Sequence, residues 1–228
     1  MKLLYQSAVL VESDGEIPQV ADFIDQKDFL PVEVARPPHL HRFELFSPKL
    51  ARRLTLFSWD AVLLWTMIES HPAIKKFCER PGLVHVHGDW RLAEFWVQRD
   101  DQSEFLLLEH SSLQNLVSAA PRLESDLGSR TRTVLDKELA AHATWIKNWQ
   151  EILPYLVSNR DFVEPRQLDR ILNFCQSPQR LVEIERAELP GDPVIARTAV
   201  FELARKGTLL PEDLHTDRLS PASRFIAA

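Results

Sequence analysis

The hydrophobic positions of this chain change period along its length. In SWDAVLLWTMIESHP, apolar residues fall at Trp59, Val62, Leu63, Leu64, Met67 and Ile68, close to helical spacing, and predict a helix that Pro72 ends. Ser58 is placed to cap it, and Asp60 falls in its first turn, where a carboxylate suits the positive end of the helix dipole. GLVHVHG then alternates Leu83, His85 and His87 against Val84 and Val86, the period of a strand. DWRLAEFWVQRDDQSEFLLLEHS predicts a hairpin with RDDQS as its turn. Its second arm holds four consecutive apolar residues, 105–108, as expected of a strand buried on both faces, and runs directly into Glu109, His110 and Ser111.

Beyond the hairpin, a helix over 113–120, a strand in RTRTVLD and a long amphipathic helix from Asp136 are expected. The tail predicts three short helices, in EPRQLDRILNFC, SPQRLVEIERAEL and DPVIARTAVFELARKG. In the third, Asp192 is the N-cap, Pro193 the first helical residue and Gly207 the stop. Ile195, Ala199 and Leu203 form its apolar face, widened by Val200, which leaves Arg197, Thr198, Glu202 and Arg205 outward. TLLPEDLHTDRLS is then expected to close a β-hairpin, and three helices with a terminal hairpin make a winged helix-turn-helix. The first fifty residues carry a short helical pattern in IPQVADFID and a proline-rich, basic arm. Two units are expected, 1–160 and 161–228.

Composition narrows the function. Of 228 residues, 45% are hydrophobic and 26% charged, ordinary for a globular domain, and no apolar run reaches the length of a membrane span. No signal peptide is expected. The two cysteines, Cys78 and Cys175, are expected to be free thiols in a reducing compartment. A net charge of −6 argues against non-specific coating of DNA, although it leaves room for a local DNA-binding face. Neither a Gly-rich phosphate loop nor zinc-ligand spacing is present.

Three acids stand at positions that suit metal chemistry. Asp60 opens a helix, Glu94 lies in RLAEFWV, and Glu109 ends FLLLE. A helix followed by a hairpin with one acid per strand is an arrangement that seats a hard divalent ion such as Mg²⁺ beside a phosphate. Each acid also has a plainer reading. Asp60 is a helix-start residue, and Glu94 pairs with Arg91 or Arg52. Glu109 ends a strand, a position favoured for function in α/β proteins.

With those acids in place, LFSWDAVLLWTMIESHPAIKKFCERP, RLAEFWV and FLLLEHSS resemble the N-terminal domain of the TnsA endonucleases, the nuclease subunits of Tn7-type heteromeric transposases. The tail from LVEIERAELPG onward resembles their winged-helix half. The resemblance implies a restriction-endonuclease-like α/β nuclease fold with a C-terminal winged helix. It further implies Mg²⁺-dependent cleavage of DNA 5′ ends at transposon boundaries and a bacterial cytoplasmic location. A DDE-type transposase and an AAA+ ATPase regulator are the implied partners, and no membrane is involved. Asp60, Glu94 and Glu109 would be the catalytic and metal-binding residues.

Two departures from the family pattern matter. Glu94 stands where the family has aspartate, and Ser111 where it has lysine. Either Lys75, Lys76 or Lys137 supplies the cation, or the metal alone carries the step, or the chain is a non-catalytic architectural or DNA-binding partner of the transposase. A winged-helix regulator with an α/β sensor domain is a third reading.

Other residues were weighed against these. On strand alternation, Glu109 and Ser111 share one face and His110 points away. His85, His87 and His110 are a weaker candidate metal cluster. The six tryptophans are expected as core or interface anchors. Arg197, Thr198, Arg205 and Lys206 are the candidate DNA contacts of the third tail helix, and a protein-docking winged helix is the alternative.

Overall fold

Short β-rich segments at the front and helical segments at the back produce an α/β protein with mixed sheets. The structure, a computed structural model, describes residues 29–34, 39–100, 102–111, 113, 120–123 and 130–228. The expected helices in IPQVADFID and over 113–120 lie outside these residues, apart from Leu113 and Ala120.

An antiparallel pair, β1 (Phe43–Ser47) and β2 (Arg52–Leu56), leads into helix α1 (Trp59–Ser70). Ser58 caps α1 as expected, its Oγ accepting from Ala61 N–H at 3.1 Å. The sheet strands follow as β3 (Ile74–Glu79), β4 (Leu83–Val86), β5 (Asp89–Leu92), β6 (Phe95–Arg99), β7 (Gln102–Leu108), β8 (Arg122–Leu123) and β9 (Arg130–Val134). They form two mixed sheets, ordered β3-β6-β7-β9 and β5-β4-β8. In the first, β7 and β9 are parallel, with Leu108 beside Val134; the other pairs are antiparallel.

The expected hairpin differs in one respect. DWRLAEFWV is two strands, broken at Ala93 and Glu94, because β5 pairs with β4 while β6 pairs with β3 and β7. The backbone of Glu94 nonetheless bonds on both sides. It donates to Leu106 O at 2.8 Å, and its carbonyl accepts from Arg80 N–H at 2.9 Å.

The long helix expected from Asp136 is divided at His142 into α2 (Asp136–Ala141) and α3 (Ala143–Asn159). A 3₁₀ turn (Arg160–Phe162) precedes α4 (Pro165–Phe174), β10 (Gln179–Arg180), α5 (Leu181–Ala187) and α6 (Pro193–Lys206). Asp192 accepts from Val194 N–H at 2.8 Å, and Gly207 ends α6 in the left-handed region at φ 76°. A Cβ on Gly207 would sit 2.7 Å from the Pro72 ring, so the stop also permits close approach to the end of α1. β11 (Leu209–Pro211) pairs with β12 (Arg224–Ala227) rather than with the segment just after it, and the sheet order is β10-β12-β11.

The main core is continuous from Leu54 to Phe225 and includes Trp65 of α1, Trp149 and Ile152 of α3, and Phe201 of α6. Residue 160 is therefore no break in packing. Asn148 of α3 reinforces this, donating to Leu214 O and Asp217 O and accepting from Leu219 N–H, all within 2.8 Å. Both cysteines are free and buried, and burial pushes their thiols up, to about 12 for Cys78 and about 11 for Cys175. Among the described residues, no helix is long and apolar enough to cross a membrane.

Because front and tail share one core, Trp149→Ala is expected to cost about 3 to 5 kcal/mol and to weaken both ends together. Hydrogen exchange under increasing denaturant should show α1 and α6 amides losing protection in step. Separate transitions for the two helices would contradict a shared core.

Candidate metal site

Glu94 is the centre of the site. It lies between Ala93 and Phe95, both fully buried, and is itself 2% exposed. With its N–H and C=O both committed to neighbouring strands, it cannot turn its side chain out to solvent. Four carboxylates are buried among the described residues: Glu69, Glu79, Glu94 and Glu202.

Three of the four are closely held. Glu69 accepts from Ser47 Oγ at 2.6 Å and Lys49 N–H at 2.8 Å. Arg52 grips Glu79 through two bonds of 2.7 and 2.6 Å, and Arg205 grips Glu202 through bonds of 2.9 and 2.8 Å. Among the described residues, the Glu94 side chain accepts only from Ser111 Oγ, at 3.4 Å. Neither expected partner neutralises it, since Arg52 serves Glu79 and Arg91 donates to Leu108 O at 3.0 Å.

The electrostatics follow from that placement. Burial pushes the Glu94 carboxyl up to about 7; the Arg80 charge and Ser111 pull it down, while the charge of Asp60 pushes it further up. Arg80 is itself buried, and its guanidinium donates to Thr55 O at 2.6 Å and Val32 O at 3.2 Å, not to a carboxylate. Its backbone is left-handed at φ 44°, a strain of about 1 kcal/mol for a residue with a Cβ. The bond from Arg80 N–H to Glu94 O and the bond its own carbonyl accepts from Val32 N–H hold it there.

Asp60, in the first turn of α1, lines a cavity of about 280 Å³ together with Trp59, Leu63, Asp136 and Lys147. Glu94 does not line this cavity; its link to Asp60 is the charge of Asp60, which acts on the Glu94 carboxyl. Glu109 joins them less directly. Strand β7 ends at Leu108, so Glu109 and His110 occupy a turn and alternation no longer governs them. Glu109 Oε2 accepts from Asp136 N–H at 3.3 Å, and His110 Nε2 lies 4.0 Å from Asp136 Oδ2.

Glu109, His110 and Asp136 each bring a ligand atom within 4.8 Å of the others, all exposed. His110 therefore faces the same rim as Glu109, and Ser111 turns to Glu94 instead. His85 pairs with Trp90, at 5.4 Å between rings, and takes no part in this cluster.

Asp136 and Lys147 were missed. Asp136 reads in the sequence as an ordinary helix start; only the parallel register of β7 and β9 brings it beside Glu109. Of the expected cation sources, Lys75 donates to Pro72 O at 3.1 Å, and neither Lys76 nor Lys137 lines the cavity.

Of the candidate DNA contacts of the tail, Thr198 alone is closed off by burial. Thr198 is fully buried, its hydroxyl donating to Val194 O, and Glu202 is buried as well. Arg197 is held by Glu185 at 2.6 Å and Tyr155 Oη at 3.0 Å, and Arg205 and Lys206 both pair with Glu202. α6 packs against α3 on this side, with Tyr155 edge-on to Phe201 at 5.5 Å, while the Lys206 side chain remains exposed.

The donor set fits a hard divalent ion. Glu94 is a carboxylate in low-dielectric surroundings whose charge Arg80 only partly balances, and half-buried Asp60 lines a cavity with Asp136. In comparisons with known proteins, no family model matches the chain, and no curated protein matches its sequence.

Because Glu94 is raised above its unfolded value of about 4.5, the folded chain loses stability as pH rises from there to about 7. Glu94→Gln is expected to stabilise the chain by on the order of 2 kcal/mol above that range, with the gain fading near pH 5. Urea titrations in chelator at low and high pH measure this. A gain independent of pH would contradict the assignment.

Proposed function

We propose that the chain is a TnsA-like subunit of a Tn7-like transposase that cleaves DNA 5′ ends at transposon boundaries, with Mg²⁺ as its ion. The observation that carries this reading is Glu94, the one buried carboxylate among the described residues without a close donor, on which the charge of Asp60 also acts. Two features support the finer fold. The order α1-β3-β6-β7-β9, with the last pair parallel, suits a restriction-endonuclease-like core. The order α4-β10-α5-α6-β11-β12, with sheet order β10-β12-β11, suits a winged helix. A DDE-type transposase and an AAA+ regulator are the proposed partners.

Asp60 and Glu94 would hold the ion, with Glu109 and Asp136 at the rim. Such an ion polarises a phosphate and lowers the pKa of a bound water. The chain's own residues set the conditions. Glu94 must lose its proton to bind a cation, so occupancy rises with pH through about 7. Ser111 Oγ orients the Glu94 carboxylate, and Lys147 brings positive charge to the cavity that Asp60 lines. Exposed His110 stands next to Asp136, its Nε2 4.0 Å from Asp136 Oδ2.

Ser111 favours a second reading, in which the fold is kept and cleavage lost: an architectural partner of the transposase. A hydroxyl bonded to Glu94 replaces the family's cation.

Cleavage of labelled transposon-end DNA, with the transposase and Mg²⁺ present, separates the readings. Asp60→Asn and Glu94→Gln are each expected to lower 5′ cleavage at least about 100-fold, and wild-type cleavage to rise through about pH 7. The same products at the same rate from wild type and both variants would sink the enzymatic reading. Absence of cleavage in wild type and in Ser111→Lys would favour the architectural one.

A further inference from the structure

We propose that the exposed outer end of the β5-β4-β8 sheet, beyond buried Leu83 and Leu92, is a nucleic-acid contact surface, with Trp90, His85 and Arg122 as its contacts. The inference rests on the proposed function only in taking the strand to be DNA; it does not require the chain to cleave.

The face is assembled by strand register. β4 and β5 are antiparallel and set His85 directly opposite Trp90, with their rings 5.4 Å apart. β8 runs parallel to β4 with Arg122 beside Leu83, and the Arg122 guanidinium lies 5.0 Å from the centre of the Trp90 ring. Trp90 is 37% exposed, and His85 and Arg122 are exposed as well. Four of the six tryptophans are half-buried or better; Trp90 is one of two that are not. An indole carrying an arginine in open solvent adds little to a core and offers both stacking area and positive charge.

Pairing habits single out this arginine. Arg52, Arg132, Arg170, Arg197, Arg205 and Arg218 each lie against a carboxylate. Arg122 forms no ion pair with a described residue, and Arg91 of the same sheet gives a donor to the Leu108 carbonyl. In a chain of net charge −6, an arginine with no ion pair among the described residues, stacked on an indole, is a local site for an anion, while Arg91 alternates to the other face of β5.

The ligand class follows from the mixture of groups. A nucleic-acid strand offers phosphates to arginine and flat bases to indole and imidazole. An acidic peptide would use the charge and leave the aromatic pair without purpose.

The platform is rigid and points at the carboxylate site. Ala93 N–H donates to Gly82 O at 3.0 Å, and Leu83 N–H to Pro121 O at 2.8 Å. Gly82 is needed there, because a Cβ would approach Pro121 O to 2.6 Å. Arg91 ties β5 to Leu108, the residue before Glu109, and β5 itself continues through Ala93 into Glu94. Trp90 is four residues from Glu94. At roughly 3.3 Å per residue that is at most about 13 Å, or about four steps along a DNA strand. The surface would grip DNA within a few nucleotides of the bond presented to Asp60 and Glu94.

Fluorescence anisotropy of labelled duplex and single-stranded DNA, with the full chain in chelator, tests this. Trp90→Ala is expected to weaken binding roughly tenfold and Trp90→Phe by less. Arg122→Ala is expected to reduce the salt dependence of binding by about one counterion. Thermal melts show whether each variant is folded.

Unchanged affinity in folded Trp90→Ala and Arg122→Ala would overturn the proposal, and so would failure of wild type to bind DNA. Displacement of DNA by polyglutamate at equal charge would point to an acidic protein partner and would also overturn it. Trp90-dependent binding without cleavage in any variant would support the surface and count against the nuclease reading alone.

Discussion

A carboxylate that cannot leave the interior sets the terms for this protein. Glu94 occupies the junction of two sheets, where its backbone bonds to Arg80 on one side and Leu106 on the other. Freeing the side chain would break both bonds and expose Phe95, so burial is the lesser cost. Arg80 balances the charge in part, from a strained backbone held by Glu94 itself and by Val32. Natural cores seldom keep such a group without a close partner, and those that do are often functional sites.

Helix α3 is the second organising element. Through Trp149 and Ile152 it shares the core with α1 and α6, and through Asn148 it holds the loop between β11 and β12. The consequence for function is direct. The helix that would read DNA in an isolated winged helix is committed to its neighbours, and its arginines to glutamates. Under the proposed function, contact with DNA would fall instead to Asp60, Glu94 and the Trp90 face.

Much of this was legible in the chain. Ser58, Asp192 and Gly207 behave as their chemistry dictates, because caps and stops are local. Asp60 begins α1 as its position in the sequence implied, while Glu94 lies in the break between two strands and Glu109 in the turn after β7. What failed depended on partners remote in sequence. Alternation could not be carried past Leu108, since the chain turns there. The apolar stripe of α6 marked one buried face and was silent about Thr198 and Glu202, which a second packing partner covers. Asp136 entered the site only through the parallel register of β9 against β7. The chain also carries nothing to say that Ala93 and Glu94 interrupt a strand, because both strand pairings that cause the break are long-range.

The central claim is that Asp60 and Glu94 jointly seat a divalent cation, and its most direct test is anomalous diffraction from crystals soaked with Mn²⁺ near neutral pH or above. The account predicts a peak bonded to carboxylate oxygens of both residues. A map with no peak there, or with manganese only on the exposed Glu109–His110–Asp136 rim, would contradict it.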